Sequence, residues 1–167
     1  MSETLEPALP DQLDEQAERL MRRLCEQELT IATAESCTGG MLAALMTDIE
    51  GAGHAFERGF VTYTKQAKTD LLGIEPGLLE HNEAVSEPVA RAMAEGALDR
   101  SKADIALGVT GFAGPAGDGC EAGLVHFALA RRGVPTRHRV EHFGPAGRGP
   151  VRVQSLRTLL EMLEEAL

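Results

Sequence analysis

The chain has 167 residues, 43% of them hydrophobic and 25% charged, with a formal net charge of −10. That length supports one well-formed core rather than two ordinary domains, and the composition excludes a disordered or fibrous chain. The acidic balance argues against a nucleic-acid backbone as partner, no stretch approaches the roughly 20 apolar residues of a membrane span, and the acidic N-terminus is unlike a basic, apolar leader.

Residues 1–10 carry two prolines and little apolar content, which predicts a loose arm before a domain over residues 11–167. Leu13, Ala17, Leu20, Met21 and Leu24 then recur at helical spacing, giving an amphipathic helix over 11–28. An apolar strand is expected over 30–34 and a helix over 41–48, joined by Glu35-Ser36-Cys37-Thr38-Gly39-Gly40. The β-branched and aromatic residues of 56–64 predict a strand. A helix over 65–72 ends at Gly73, and Ser86-Glu87-Pro88 reads as an N-cap opening a helix to about residue 98. A buried strand over 103–110 runs into a glycine-rich loop, residues 111–119. Strands over 123–130 and 136–143 form a meander across the turn 132–135, and a last amphipathic helix covers 151–167. Alternating helices and strands followed by a meander predict one three-layer α/β/α domain with a mixed β-sheet.

In such a sheet, ligands gather at the carboxyl ends of the strands. The turn at residues 36–40 and the loop at 111–119 both follow predicted strands, so they are candidates for one shared site. Small hydroxyl residues and paired glycines at a strand-to-helix turn put amides and side-chain oxygens at a helix N-terminus, where an anion is favoured. Ser36 there either binds a phosphate or acts as a nucleophile, or else Ser36 or Thr38 only caps the helix. The glycine loop has neither a following Lys-Ser or Lys-Thr nor the dinucleotide-binding spacing, which argues against an ATPase and a Rossmann dehydrogenase.

His138 and His142 lie on one strand, roughly 13 Å apart, out of reach of a single ion. His54, His81 and His126 read as isolated, so no metal and no cofactor are expected. Arg131, Arg132, Arg137 and Arg139 read as a solvated turn and strand edge. Cys25, Cys37 and Cys120 form neither a CxxC pair nor a disulfide framework, which predicts reduced thiols and a cytoplasmic location. A nucleophilic Ser36 needs a base, and no histidine stands in a triad context. Tyr63 and Lys68 offer an alternative, because burial lowers a lysine pKa and a tyrosine hydroxyl relays protons. Otherwise Tyr63 is a half-buried strand aromatic and Lys68 a solvated helix residue.

The runs Thr33-Ala34-Glu35-Ser36-Cys37-Thr38-Gly39-Gly40, Phe56-Glu57-Arg58-Gly59-Phe60-Val61-Thr62-Tyr63, Ala67-Lys68, Ala84-Val85-Ser86-Glu87-Pro88-Val89 and Thr110-Gly111-Phe112-Ala113-Gly114-Pro115 resemble the C-terminal domain of competence/damage-inducible CinA proteins. The resemblance covers roughly residues 12–165 in one order. It implies hydrolysis of the carboxamide of nicotinamide mononucleotide to nicotinate mononucleotide and ammonia, a step of pyridine-nucleotide salvage. It further implies Ser36 as nucleophile with Lys68 and Tyr63 as proton-handling partners, and no cofactor. The amides near Thr38, Gly39 and Gly40 are then expected at the oxyanion. The loop with Thr110, Gly111 and Gly114 is expected around the ribose phosphate, with Arg148 as a further phosphate candidate. A homo-oligomer, with a dimer favoured, follows from the same resemblance.

Two departures from the family pattern bear on substrate choice: residues 118–122 form a shorter insert, and Lys65 stands in place of an expected asparagine. With its first helix beginning almost at once, the chain is expected to be free-standing. The alternative from another class is a non-catalytic module that binds a nucleotide or a partner protein.

Overall fold

The computed structural model describes residues 9–167, so most of the predicted N-terminal arm lies outside the described residues. Of that arm, Leu9 is buried and packs in the core. Helix α1 (Asp11–Glu26) buries the five predicted apolar residues, and Asp11 and Asp14 in its first turn complement the helix dipole. Strand β1 (Ile31–Glu35), helix α2 (Met41–Thr47) and strand β2 (Phe56–Val61) follow. Helix α3 (Lys65–Leu72) starts where the Thr64 hydroxyl accepts from the Ala67 amide, which ends β2 earlier than residue 64. It stops at Gly73, left-handed at φ 64°, as the sequence predicts.

A short helix α4 (Pro76–His81) has no counterpart in the sequence reading; a proline at its first position starts it. Helix α5 (Glu87–Asp99) begins at the expected place, but Ser86 makes no side-chain cap bond. One of the two amides it would accept from belongs to Pro88, which has no N–H. Strands β3 (Ile105–Gly111), β4 (Leu124–Arg131) and β5 (Val134–His142) complete the sheet. Helix α6 (Arg148–Ala166) begins three residues before the predicted Val151, because Pro150 sits in its first turn, where a missing N–H costs nothing.

The five strands lie in the order β2-β1-β3-β4-β5, with β2, β1 and β3 parallel and β4 and β5 antiparallel. The mixed sheet within three α/β/α layers is the expected architecture. Its two faces differ in side-chain size. Ile31, Ile105, Leu107, Val109, Val125, Phe127 and Leu129 point toward α1, α2 and α6. Ala32, Ala34, Ala106, Ala128 and Ala130 face α5, which therefore packs closely. A Cβ on Gly108 would lie 2.8 Å from the Ala94 amide nitrogen of α5, so only glycine fits there.

This topology positions the site. β1, β2 and β3 end at one edge of the sheet, and there residues 36–40, 62–64 and 112–123 emerge side by side. β5 finishes at the same edge, so α6 begins beside them. The basic cluster on β4 and β5 is engaged rather than free: Arg139 pairs with Glu161 and Glu165, Arg131 donates to the Ala166 carbonyl, and Arg132 donates to the Leu98 carbonyl. Cations thus sit at the negative ends of α5 and α6. Among the described residues no helix is long and apolar enough to cross a membrane.

Candidate active site

The turn after β1 is built around Glu35, whose side chain is 1% exposed. Its carboxylate accepts from the Thr38 hydroxyl at 2.6 Å and from the amides of Gly40, Leu42 and Ala43 at 3.1, 3.1 and 2.9 Å. Glu35 therefore occupies the N-terminus of α2, with its negative charge at the positive end of the helix dipole. This corrects the expectation that the amides of Gly39 and Gly40 face an external anion. The Gly40 amide is taken by Glu35, the Gly39 amide donates to the Ser36 carbonyl, and the Met41 amide donates to the Thr38 carbonyl. The amides of Cys37 and Thr38 donate to no backbone carbonyl among the described residues. Gly39 and Gly40 serve the turn by conformation, at φ 62° and 96°.

Ser36 is 7% exposed, and its amide donates to the Val109 carbonyl, which fixes the turn to the adjoining strand β3. Its hydroxyl faces Lys68. The Lys68 Nζ donates to Ser36 Oγ at 3.0 Å and to the carbonyls of Thr62 and Tyr63 at 3.1 Å each. Lys68 is 1% exposed, so it is a buried lysine and not a solvated helix residue. Burial pushes its pKa below the usual lysine value, and no carboxylate pairs with it among the described residues. Three acceptors around one amine hold Nζ in place. When the amine is neutral, its lone pair is within reach of the Ser36 proton.

Tyr63, the only tyrosine, is 70% exposed and meets this pair through its backbone carbonyl. It is neither half-buried nor placed between Ser36 and Lys68. The neighbouring Cys37 thiol is buried, and burial pushes its pKa up to about 12, so it stays protonated and unreactive.

The glycine loop lies beside this turn through β3. Thr110 is buried and donates its hydroxyl to the Ala84 carbonyl at 2.8 Å, tying down the segment before α5. Gly111 packs under Val125, with room for no side chain: a Cβ would lie 2.7 Å from a Val125 methyl. Gly114 meets Arg148, whose Nη2 would be 2.7 Å from a Cβ there. A cavity of about 190 Å³, lined by Ala113, Gly114, Pro115, Ala122, Pro145 and Gly147, opens between this loop and the start of α6. A separate groove of about 480 Å³ has Asp11, Glu15, Glu18 and Glu50 in its walls and lies at the other end of α2 from Ser36.

The family model described as the CinA C-terminal domain matches residues 13–167. This chain belongs to the CinA C-terminal domain family. A CinA-like protein of Geobacter sp. (strain M21) is 45% identical over 157 residues, 92% of this chain and 37% of that protein. A CinA-like protein of Mycolicibacterium vanbaalenii is 45% identical over 140 residues, 83% of this chain and 33% of that protein. The chain spans about a third of the length of these curated relatives. Among solved structures, the competence/damage inducible protein CihA from Agrobacterium tumefaciens superposes with a TM-score of 0.91 at 42% identity, covering 94% of this chain and 96% of that one. The CinA superfamily protein from Escherichia coli gives a TM-score of 0.87 at 38% identity, covering 93% and 90%.

Three residues of this CinA domain escaped the sequence reading. Glu35 closes an otherwise apolar strand, and an acid at that position just before a helix start is the signal that identifies a buried cap. Arg152 of α6 donates from Nη2 to the Thr38 carbonyl at 3.0 Å across 114 positions of sequence, a contact without local signal. His126, read as isolated, stacks on His138 with ring centroids 5.3 Å apart, and its Nδ1 lies 3.0 Å from His138 Nε2. Cross-strand pairing of β4 and β5 brings those two rings together on the face away from α6.

Proposed function

We propose that this CinA domain is an amidohydrolase that converts nicotinamide mononucleotide and water to nicotinate mononucleotide and ammonia. The observation that carries this reading is the 3.0 Å contact between Ser36 Oγ and the buried Lys68 Nζ, a lysine without a carboxylate partner among the described residues. Burial favours the neutral amine, which is the form that accepts a proton. As Ser36 Oγ attacks the carboxamide carbon, its proton passes to Lys68. The amides of Cys37 and Thr38, which no backbone carbonyl takes, receive the developing oxyanion in place of the amides that Glu35 occupies. Lys68 then returns the proton to the leaving nitrogen, the C–N bond breaks, and ammonia departs from an acyl-serine. Water attacks the ester while Lys68 takes its proton, and Ser36 is restored as the carboxylate leaves.

In this reading Lys68 takes the proton directly. Tyr63 contributes its carbonyl to Lys68, and its exposed ring is assigned to the mouth of the site. The loop with Thr110, Gly111 and Gly114 forms the wall on the nucleotide side, and Arg148 faces the phosphate. Val61 on the edge strand β2, Tyr63 just after it and Leu71 on α3, all exposed, support a homodimer, and three free thiols support a cytoplasmic location.

The test is ammonia release from nicotinamide mononucleotide by the wild type, Ser36→Ala and Lys68→Met, with free nicotinamide as parallel substrate. Release from the mononucleotide that both variants lose by about a thousandfold or more supports the mechanism. Saturable binding of the mononucleotide without ammonia release refutes it and leaves a nucleotide-binding module.

A further inference from the structure

α6 carries two arginines one turn apart on the face it turns toward the site. Arg148 approaches the backbone of Gly114, and Arg152 approaches that of Gly39, where a Cβ would lie 2.5 Å from Nη2. The two guanidiniums thus bridge the nucleophile turn and the glycine loop. Neither forms an ion pair among the described residues, although the chain carries 26 acidic residues against 16 basic ones. The Nε of Arg152 is buried and has no hydrogen-bond partner.

Both cations also stand at the wrong end of their helix. The N-terminus of α6 has no acidic residue in its first turn and no side-chain cap, so the positive end of the dipole meets two positive side chains. By contrast, Asp11 and Asp14 open α1 and Glu87 opens α5. A buried guanidinium donor without an acceptor is costly, and two unpaired cations at a helix N-terminus add to that cost. An oxyanion placed between them relieves both. A cavity of about 190 Å³, lined by Gly114 and Gly147 but by neither guanidinium, opens next to Arg148.

We propose that Arg148 and Arg152 are the two jaws of a clamp for a phosphate monoester, and that Arg152, through the Thr38 carbonyl, couples an occupied clamp to the turn bearing Ser36. The inference deepens the amidohydrolase reading, which supplies the nucleotide phosphate, and adds Arg152 as a binding residue. Arg152 is bonded to the turn that holds the nucleophile, whereas Arg148 is exposed at the rim. Phosphate bound by both draws α6 and the turn into one arrangement. Arginine suits this role because its fork serves a carbonyl and a phosphate together, and lysine cannot.

The experiment uses inorganic phosphate as probe, measured by calorimetry on the full chain. The proteins are wild type, Arg148→Gln, Arg152→Gln and Arg152→Lys, with Arg157→Gln as a charge-matched control on the exposed part of α6. Each clamp variant is expected to weaken phosphate binding about tenfold or more, Arg152→Lys to restore only part of it, and Arg157→Gln to match the wild type. Ammonia release from nicotinamide mononucleotide and from the riboside lacking the phosphate gives the second readout. Arg152→Gln should raise KM for the mononucleotide about tenfold or more and change KM for the riboside far less.

Phosphate affinity unaltered by Arg152→Gln, with kcat lost for both substrates, makes Arg152 a brace of the turn and overturns the clamp. Absence of saturable phosphate binding to the wild type at millimolar concentration overturns it as well. Phosphate binding that depends on both arginines, in a protein that releases no ammonia, upholds the clamp and refutes the amidohydrolase reading instead.

Discussion

Replacing Glu35 with alanine should be among the most damaging single substitutions in this domain, although Glu35 is not proposed to touch substrate. The carboxylate accepts four hydrogen bonds, three of them from the first amides of α2. A methyl group in its place would leave those amides without partners, while the Thr38 hydroxyl can rotate to another acceptor. An orphaned buried donor costs about 1–3 kcal/mol. With the buried Leu42 amide at the upper end of that range, and the half-buried Gly40 and Ala43 amides at the lower end, the loss comes to about 4–5 kcal/mol. For a domain of this size that lowers Tm by about 10–15 °C. Glu35→Gln keeps one acceptor oxygen but turns an NH₂ group toward donors, and should cost about 2–3 kcal/mol. Urea denaturation of the three proteins measures both values. A loss below about 1 kcal/mol for both variants, with the m-value unchanged, would show that water caps α2 as well as Glu35 does and would refute the reasoning.

Lys68 is expected to make stability rise with pH. Burial lowers its folded pKa below the unfolded value of 10.5, so between the two the unfolded chain binds the extra proton, and stability falls as pH drops through that window. Lys68→Met should flatten this slope in denaturation curves taken from pH 7 to 10, and a slope identical to the wild type would count against a depressed pKa. His126 and His138 have the same sign at lower pH. Burial lowers both below 6.5, so stability is lost as pH falls from 6.5 toward their folded values, with Glu87 opposing the shift, Arg91 adding to it for His138, and His142 for His126. His126→Phe should shrink the acid-side loss of Tm, and an unchanged acid limb would rule the pair out as its source. Cys37, its pKa pushed up to about 12, should react with iodoacetamide at pH 8 at least about a hundredfold more slowly than the half-buried Cys120, as peptide mapping would show. Comparable labelling of the two would mean that the turn opens readily.

Most of the secondary structure was legible because the apolar periods are clean: five residues at helical spacing define α1, and alternating large and small residues define β3 and β4. The errors cluster where local rules compete. α4 is too short for a period to register, and the apolar period of α6 starts at Val151, three residues after the helix itself, whose first turn holds Pro150. The Ser86 cap fails for the same kind of reason, since Pro88 withholds an amide that a cap needs.

The candidate site divides along a similar line. Ser36, its glycines and the strand-to-helix turn are local features, readable from neighbouring residues alone, as are the α/β architecture and the family likeness, which the family model bears out over residues 13–167. Which atoms that turn has to spare depends on how the chain packs. Glu35 folds back onto α2 and fills the anion site that the sequence pattern advertises. Lys68 reaches Ser36 from another strand-to-helix crossing, and Arg152 arrives from the far end of the chain. Burial, which alone turns Lys68 from a solvated cation into a candidate base, is a property of the packed sheet and helices together. No sequence period encodes it, because a charged residue on a helix reads as exposed until the neighbouring elements close over it.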